Sequence, residues 1–131
     1  MQKMNNKLIL RKDDHKLLTS YLNRRNGKTA FDRRNAEELQ AELKNAKLVS
    51  KDNFPVDVVR INSTVQVKAE DKEIIMEFML VTPEKANIKE NKISVMAPIG
   101  TALIGFRKGQ QVKCAVPSGK KIFTILQVLN E

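Results

Sequence analysis

The stretch Ile93-Ser-Val-Met-Ala-Pro-Ile-Gly-Thr-Ala-Leu-Ile-Gly105 decides how the second part of this chain folds. Pro98 suits the first position of a helix, where its missing N–H costs nothing. The apolar residues that follow it share one helical face: Ile99, Ala102, Leu103 and Phe106. Gly105 or Gly109 can end the segment. We therefore expect a short helix whose apolar face packs on a core.

The residues around this stretch have the composition of β-strands. Segments rich in Val, Ile and Phe, bounded by turn residues, predict strands at Asp57–Ile61, Thr64–Ala69, Glu73–Val81, Gln111–Val116 and Lys121–Leu129. Pro117-Ser-Gly119 predicts the turn before the last strand. Residues 51–131 are therefore predicted to form an antiparallel sheet packed on one short helix, an α+β domain.

The first part of the chain has helical periodicity instead. Lys7–Arg11 predicts a short strand, after which Asp13 and Asp14 can cap a helix. This helix has an apolar stripe at Leu17, Leu18, Tyr21 and Leu22, and Asn26-Gly27 can end it.

A second helix is predicted to begin between Thr29 and Asn35, where Asn35 and Glu38 resemble a capping box. Its apolar stripe consists of Leu39, Leu43 and Ala46. Two amphipathic helices with a short linker favour an antiparallel hairpin, so residues 1–50 are predicted to form a stubby arm about 20–25 Å long.

Composition places the chain among soluble globular proteins. It has 131 residues, 41% hydrophobic and 30% charged, and the apolar run Leu8–Leu10 is too short for a signal peptide or a membrane span. Cys114 is the only cysteine, which excludes an intrachain disulfide and favours a reducing setting. We expect a cytoplasmic monomer without a membrane partner.

The residue inventory gives no support for an enzyme. His15 and Cys114 are single and lie in different parts of the chain, so neither a metal site nor a catalytic triad is expected, and no cofactor. Gly100 to Gly105 has the span of a phosphate-binding loop, but Phe106-Arg107 follows where Lys-Ser/Thr is required. These glycines are interpreted as allowing tight helix packing and a helix stop.

Positive charge is concentrated in the predicted arm. The net charge is +9, and residues 1–50 hold 12 Lys/Arg against 6 Asp/Glu. A basic cluster marks the tip of the hairpin, and it consists of Arg24, Arg25, Lys28, Arg33 and Arg34. Asp32 is the one acid within it. The cluster is either a solvated face or an electrostatic attachment to an anionic surface. Nucleic acid is a candidate partner, although Phe31 is the only aromatic residue available for stacking.

The opening stretch, with Lys108-Gly109 and Val116-Pro-Ser-Gly119 after it, resembles the Gre transcription factors. Leu39-Gln-Ala-Glu-Leu43, Pro55-Val-Asp-Val-Val59 and Asn62-Ser63 are similar above all to the short branch of that family, the regulator of nucleoside diphosphate kinase (Rnk). The resemblance runs from about residue 39 to 129.

This resemblance implies a C-terminal domain like the FK506-binding proteins that docks on RNA polymerase beside its secondary channel. The docking loop of the family corresponds to Met96, Ala97 and Pro98, with Ala97 where Gre factors usually carry a polar residue. Their arm presents acidic residues that hold magnesium for transcript cleavage. Here the tip is basic, and only Asp32 could serve as an acid, so cleavage stimulation is not expected. A prolyl-isomerase-like or chaperone module and a basic nucleic-acid-binding protein are the alternatives.

Overall fold

The structure, a computed structural model, describes residues 8–24, 30–116 and 119–130, and the side chains of all of these except residues 24, 30–33, 35, 115 and 116. The chain divides into two compact units, Met1–Phe54 and Pro55–Glu131. The elements of both units together give an α+β protein.

The first unit contains two helices and a small sheet. Its elements are β1 (Ile9–Arg11), α1 (Lys12–Arg24), α2 (Ala30–Lys44) and β2 (Lys47–Val49). β1 and β2 pair in parallel, with Leu10 opposite Leu48. The predicted strand before the first helix is confirmed. β2 was not predicted, because three residues are too few to display a period of two.

A small leucine core stabilises this unit, with Leu8, Leu10, Leu18, Leu39 and Leu43 all buried. The ring Nε2 of His15 lies 3.1 Å from the carbonyl oxygen of Leu43, so the start of α1 lies beside the end of α2. The predicted capping box at Asn35 is wrong. α2 already begins at Ala30, which places Asn35 inside the helix, where no free N-terminal amides need a cap.

The second unit is built on a five-stranded sheet with the order β5-β4-β3-β7-β6. Its strands are β3 (Thr64–Ala69), β4 (Ile74–Val81), β5 (Lys92–Ser94), β6 (Gln111–Val116) and β7 (Gly119–Leu129). Every pair is antiparallel except β4 with β5, which is parallel. The prediction of a purely antiparallel sheet is therefore wrong at this edge. The short β5 was not predicted, and the chain reaches it through two 3₁₀ turns, Pro83–Lys85 and Ile88–Glu90.

The predicted strand Asp57–Ile61 is also wrong. Val58 makes only an isolated bridge to Arg107. The N–H of Val59 donates to the carbonyl of Phe106 at 2.8 Å, and Gly105 donates to Val59 at 2.9 Å. The apolar residues that resemble a strand are buried, but this segment pairs with the chain after the short helix instead of joining the sheet.

The predicted short helix is confirmed as α3, Pro98–Leu103. Leu103, Ile104 and Phe106 are buried with the inward residues of the strands, such as Val65 and Ile125. Gly105 follows the helix with φ of 86°, a conformation that favours glycine, and so ends it as predicted. This core fixes where α3 begins, and thereby positions the loop in front of it.

Candidate functional site

The loop between β5 and α3 is a tight turn organised by Ser94. The N–H of Ala97 donates to the Ser94 carbonyl at 3.0 Å, which closes the turn. The Ser94 hydroxyl oxygen accepts a second bond, from the N–H of Met96 at 2.9 Å. Ser94 therefore fixes the backbone on both sides of Met96. Its role was not predicted, and the only sequence signal is the general tendency of serine hydroxyls to bond the backbone two residues on.

The base of this turn is fixed to the sheet. Val95 is fully buried, and its N–H donates to the carbonyl of Val81 in β4 at 2.8 Å. A Cβ added to Gly100 would lie 2.5 Å from the Ser94 carbonyl oxygen and 2.9 Å from the Val95 Cα. Only glycine lets the first turn of α3 pack so closely on the loop, which confirms the interpretation of Gly100 as a close-packing residue.

The far end of the turn is fixed by the helix itself. The N–H of Thr101 donates to the Ala97 carbonyl at 2.9 Å, and its buried hydroxyl donates to the Pro98 carbonyl at 3.0 Å. Met96, Ala97 and Pro98 are each half-buried. The three residues predicted as a docking loop thus form a braced turn that presents part of each side chain to solvent.

The predicted basic tip falls largely outside the described side chains. Arg25 and Lys28 lie outside the described residues, and Arg24 is the last residue of α1. Asp32 and Arg33 belong to the first turn of α2, and Arg34 is exposed. The basic tip, with Asp32 as its one possible acid, stays a prediction.

The described side chains include no group of three or more His, Cys, Asp or Glu residues that could hold a metal ion. In the same part of the chain, no helix is long and apolar enough to cross a membrane. His15 bonds the end of α2, and Cys114 is buried within β6.

Two ionisable groups of the described side chains, Asp71 and Arg11, have shifted pKa values. The hydrogen bond from Lys121 at 3.2 Å, with its positive charge, lowers the pKa of the Asp71 carboxyl group. In the first unit, hydrogen bonding to Asp13 raises the pKa of the Arg11 guanidinium. In both pairs the carboxylate is solvent-exposed, 60% for Asp13 and 48% for Asp71, and each pair ties local segments together.

The family described as Transcription elongation factor, GreA/GreB, C-term matches residues 54–130, more than half of this chain. The chain therefore belongs to the GreA/GreB family of transcription elongation factors through its C-terminal domain. Among curated relatives, the transcription elongation factor GreA of Clostridium kluyveri is 36% identical over 91 residues. That alignment covers 70% of this chain and 57% of the relative, so the chain spans little more than half of its length.

Two of the solved structures that are similar to the protein show the extent of the likeness. The prokaryotic transcription elongation factor GreA/GreB from Nitrosomonas europaea has a TM-score of 0.76 and 28% identity, with 95% of this chain and 98% of that chain covered. Thermus aquaticus Gfh1 has a TM-score of 0.51 and 19% identity over 95% of this chain and 99% of its own, which shows the fold alone.

Proposed function

We propose that this protein is a transcription regulator that binds RNA polymerase at the entrance of the secondary channel and does not stimulate transcript cleavage. The braced turn at Met96, Ala97 and Pro98 carries the proposal. Because its backbone is already held by Ser94, Val95 and Thr101, binding loses little conformational entropy. A rigid turn with half-exposed side chains is the kind of loop that scaffolds use for recognition.

We further propose an architecture for each of the two parts of the chain. Residues 51–131 form an FK506-binding-protein-like domain of the Rnk type, and α1 and α2 form a short antiparallel arm. The bond between His15 and Leu43 supports the arm, since it joins the start of one helix to the end of the other. The protein acts as a cytoplasmic monomer.

The basic tip supports a role without cleavage. Five of the residues from 24 to 34 are Lys or Arg, and Asp32 is the one acid. Holding a catalytic Mg²⁺ requires carboxylate oxygens, and nearby cations oppose metal binding by direct repulsion. The chain would occupy the channel entrance without supplying ligands for the metal ion. It would thereby exclude cleavage-stimulating factors that do supply such ligands.

Pull-down with core RNA polymerase tests the binding. We expect wild type and Ile75→Ser to bind at micromolar protein, and Met96→Ser to bind at least about tenfold more weakly. Ile75 is a suitable control because it is 58% exposed on β4, away from the turn. Absence of wild-type binding would reject the proposal.

A second experiment tests the mode of action. Added to arrested elongation complexes with a cleavage-stimulating GreA, the chain should slow transcript cleavage in proportion to its occupancy. Added alone, it should leave the cleavage rate at its intrinsic value. Stimulation by the chain alone would contradict the non-cleaving role, whereas salt-sensitive binding to free DNA or RNA would favour the nucleic-acid alternative.

A further inference from the structure

The segment before β5 is a closed turn with a fixed backbone. Asn87 and Lys92 exchange two backbone hydrogen bonds, of 2.9 and 3.0 Å. The Asn87 side-chain oxygen accepts from the N–H of Lys89 at 3.0 Å, and Asn91 adopts the left-handed conformation with φ of 57°. The Asn91 carbonyl also accepts from Met79 in β4 at 2.9 Å, which joins the turn to the sheet. The turn is therefore held at both ends.

This turn presents one apolar side chain to water. Ile88 is 86% exposed, more than any other large apolar residue in the described part of the chain. The residues beside it are exposed as well, and they include the charged Lys85, Lys89 and Glu90. The 3₁₀ turn Ile88–Glu90 buries none of its residues, so Ile88 contributes almost nothing to folding. Single exposed apolar residues are common on protein surfaces, but this one lies on a fixed backbone, so its burial by a partner would lose little backbone entropy.

Ile88 and the candidate docking loop lie at the same edge of the sheet. β5 alone separates the two turns, and its three residues span about 10 Å. β5 is the edge strand of the described sheet, and its residues are half-buried. A standard interface covers about 800 Å² on each partner, roughly 30 Å across, so one partner surface can contact both turns.

We infer that Ile88 is a second anchor of the polymerase contact, inserting into an apolar recess on the same surface that receives Met96, Ala97 and Pro98. The inference rests on the proposed function, because it assigns the residue to that partner. The charged neighbours of Ile88 form a polar rim, which excludes water around the buried side chain without adding much affinity.

The experiment measures the affinity of the full chain for core RNA polymerase by biolayer interferometry. We expect Ile88→Ser to weaken binding at least about tenfold, mainly through faster dissociation. Its melting temperature should match that of wild type, since the side chain is already in water. Ile75→Ser is the matched control, with the same substitution at an exposed isoleucine on β4, and it should bind like wild type.

The outcomes separate the two proposals. If wild type does not bind polymerase, both fail. If wild type binds, Met96→Ser weakens binding and Ile88→Ser does not, the second anchor is wrong and the proposed function stands. Equal weakening by Ile75→Ser would also overturn the inference, because the effect would then be unspecific. A change in oligomeric state on Ile88→Ser, without a change in polymerase affinity, would assign the residue to contacts between copies of the chain instead.

Discussion

Gly100 controls the shape of the candidate docking loop. In Gly100→Ala the new methyl would lie 2.5 Å from the Ser94 carbonyl oxygen, so either the turn or the start of α3 must move. We expect a loss of about 1–3 kcal/mol in the free energy of unfolding, measured by urea denaturation. Because the moving atoms belong to the loop, affinity for polymerase should fall too, even when corrected for the folded fraction.

The control for that prediction is a variant that is destabilised elsewhere. Asn130→Ala removes bonds at the end of β7 and leaves the turn at Ser94 unaltered. Its binding per folded molecule should equal that of wild type. If Gly100→Ala binds as well as Asn130→Ala at equal folded fraction, Gly100 contributes to stability and not to loop geometry.

Asn130 joins the end of the sheet to the start of the second unit. Its side-chain nitrogen donates to the carbonyls of Val56 at 3.1 Å and Val58 at 2.8 Å, and its oxygen accepts from the fully buried Ser63 hydroxyl. In Asn130→Ala the Ser63 hydroxyl proton and the Val58 carbonyl lose their partner, and we expect a cost of about 1–3 kcal/mol in urea denaturation.

A carboxylate at the same position makes a sharper test. Asn130→Asp retains the acceptor for Ser63 but faces two carbonyl oxygens with negative charge, so it should be at least as destabilising as alanine at neutral pH. Gln127→Ala, at an exposed position of β7 just before Asn130, should change stability by no more than about 0.5 kcal/mol. Similar effects at Asn130 and Gln127 would show that the network contributes little.

Unfolding of the first unit can be monitored by fluorescence separately from that of the second. Tyr21, in α1, is the only tyrosine, and the chain has no tryptophan. Leu18 is fully buried, whereas Leu17 is 37% exposed. Leu18→Ala should lower the free energy of unfolding, measured by Tyr21 fluorescence in urea, by about 2–5 kcal/mol. Leu17→Ala should cost about 1 kcal/mol or less. Equal shifts would mean that the leucine core does not hold α1 in place.

The β3–β4 turn is joined to β7 by Asp71 and Lys121. The hydrogen bond from Lys121 lowers the pKa of Asp71 in the folded state. Because the pKa of Asp71 is lower in the folded than in the unfolded state, its ion pair stabilises the fold at pH values above the unfolded-state pKa of about 3.9. This contribution is lost as the pH falls through the folded-state pKa of Asp71. In Lys121→Met the pKa of Asp71 should rise toward its ordinary value, as measured by carboxyl NMR titration. Lys120→Met, with the same charge change one residue away, should move it less.

The sequence predicts the elements that carry a repeated pattern. α3 has a proline at its start, an apolar face and a glycine after its end, and the structure reproduces it. β2 and β5 have three residues each, and only pairing with a neighbouring strand defines them. Asp57–Ile61, in contrast, was predicted as a strand and is not one. Its valines indicate burial, but a run of buried apolar residues does not specify whether its backbone pairs within a sheet.

The candidate site was predictable only in part. Met96, Ala97 and Pro98 were identified by resemblance to a family, while the reason that they form a turn lies in contacts with Ser94 and Gly100. Gly100 was interpreted correctly as a packing residue, but its contact is with a carbonyl six residues earlier, which no local pattern reveals. Ile88 was not predicted either, because exposure depends on the fold around a residue.

The charge of the whole chain should affect how fast it finds its partner. The net charge is +9, and under the proposed function a basic protein that approaches an anionic partner surface is steered by long-range attraction that salt screens. Replacing four tip arginines with alanine lowers the net charge from +9 to +5. The association rate with polymerase should then fall by about tenfold at low salt and depend less on salt, with little change in the dissociation rate. The residues changed are Arg24, Arg25, Arg33 and Arg34.

A control variant with the same net charge shows whether the position of the positive charges matters or only their number. Four exposed lysines of the second unit can be replaced by alanine to give +5 as well, and they are Lys72, Lys108, Lys113 and Lys120. Stopped-flow association should show a smaller loss for this variant if the basic tip faces the channel as proposed, because its charges would then interact with the partner at short range. If both variants lose rate equally, steering depends on net charge alone, and the basic tip has no specific role in approaching the channel.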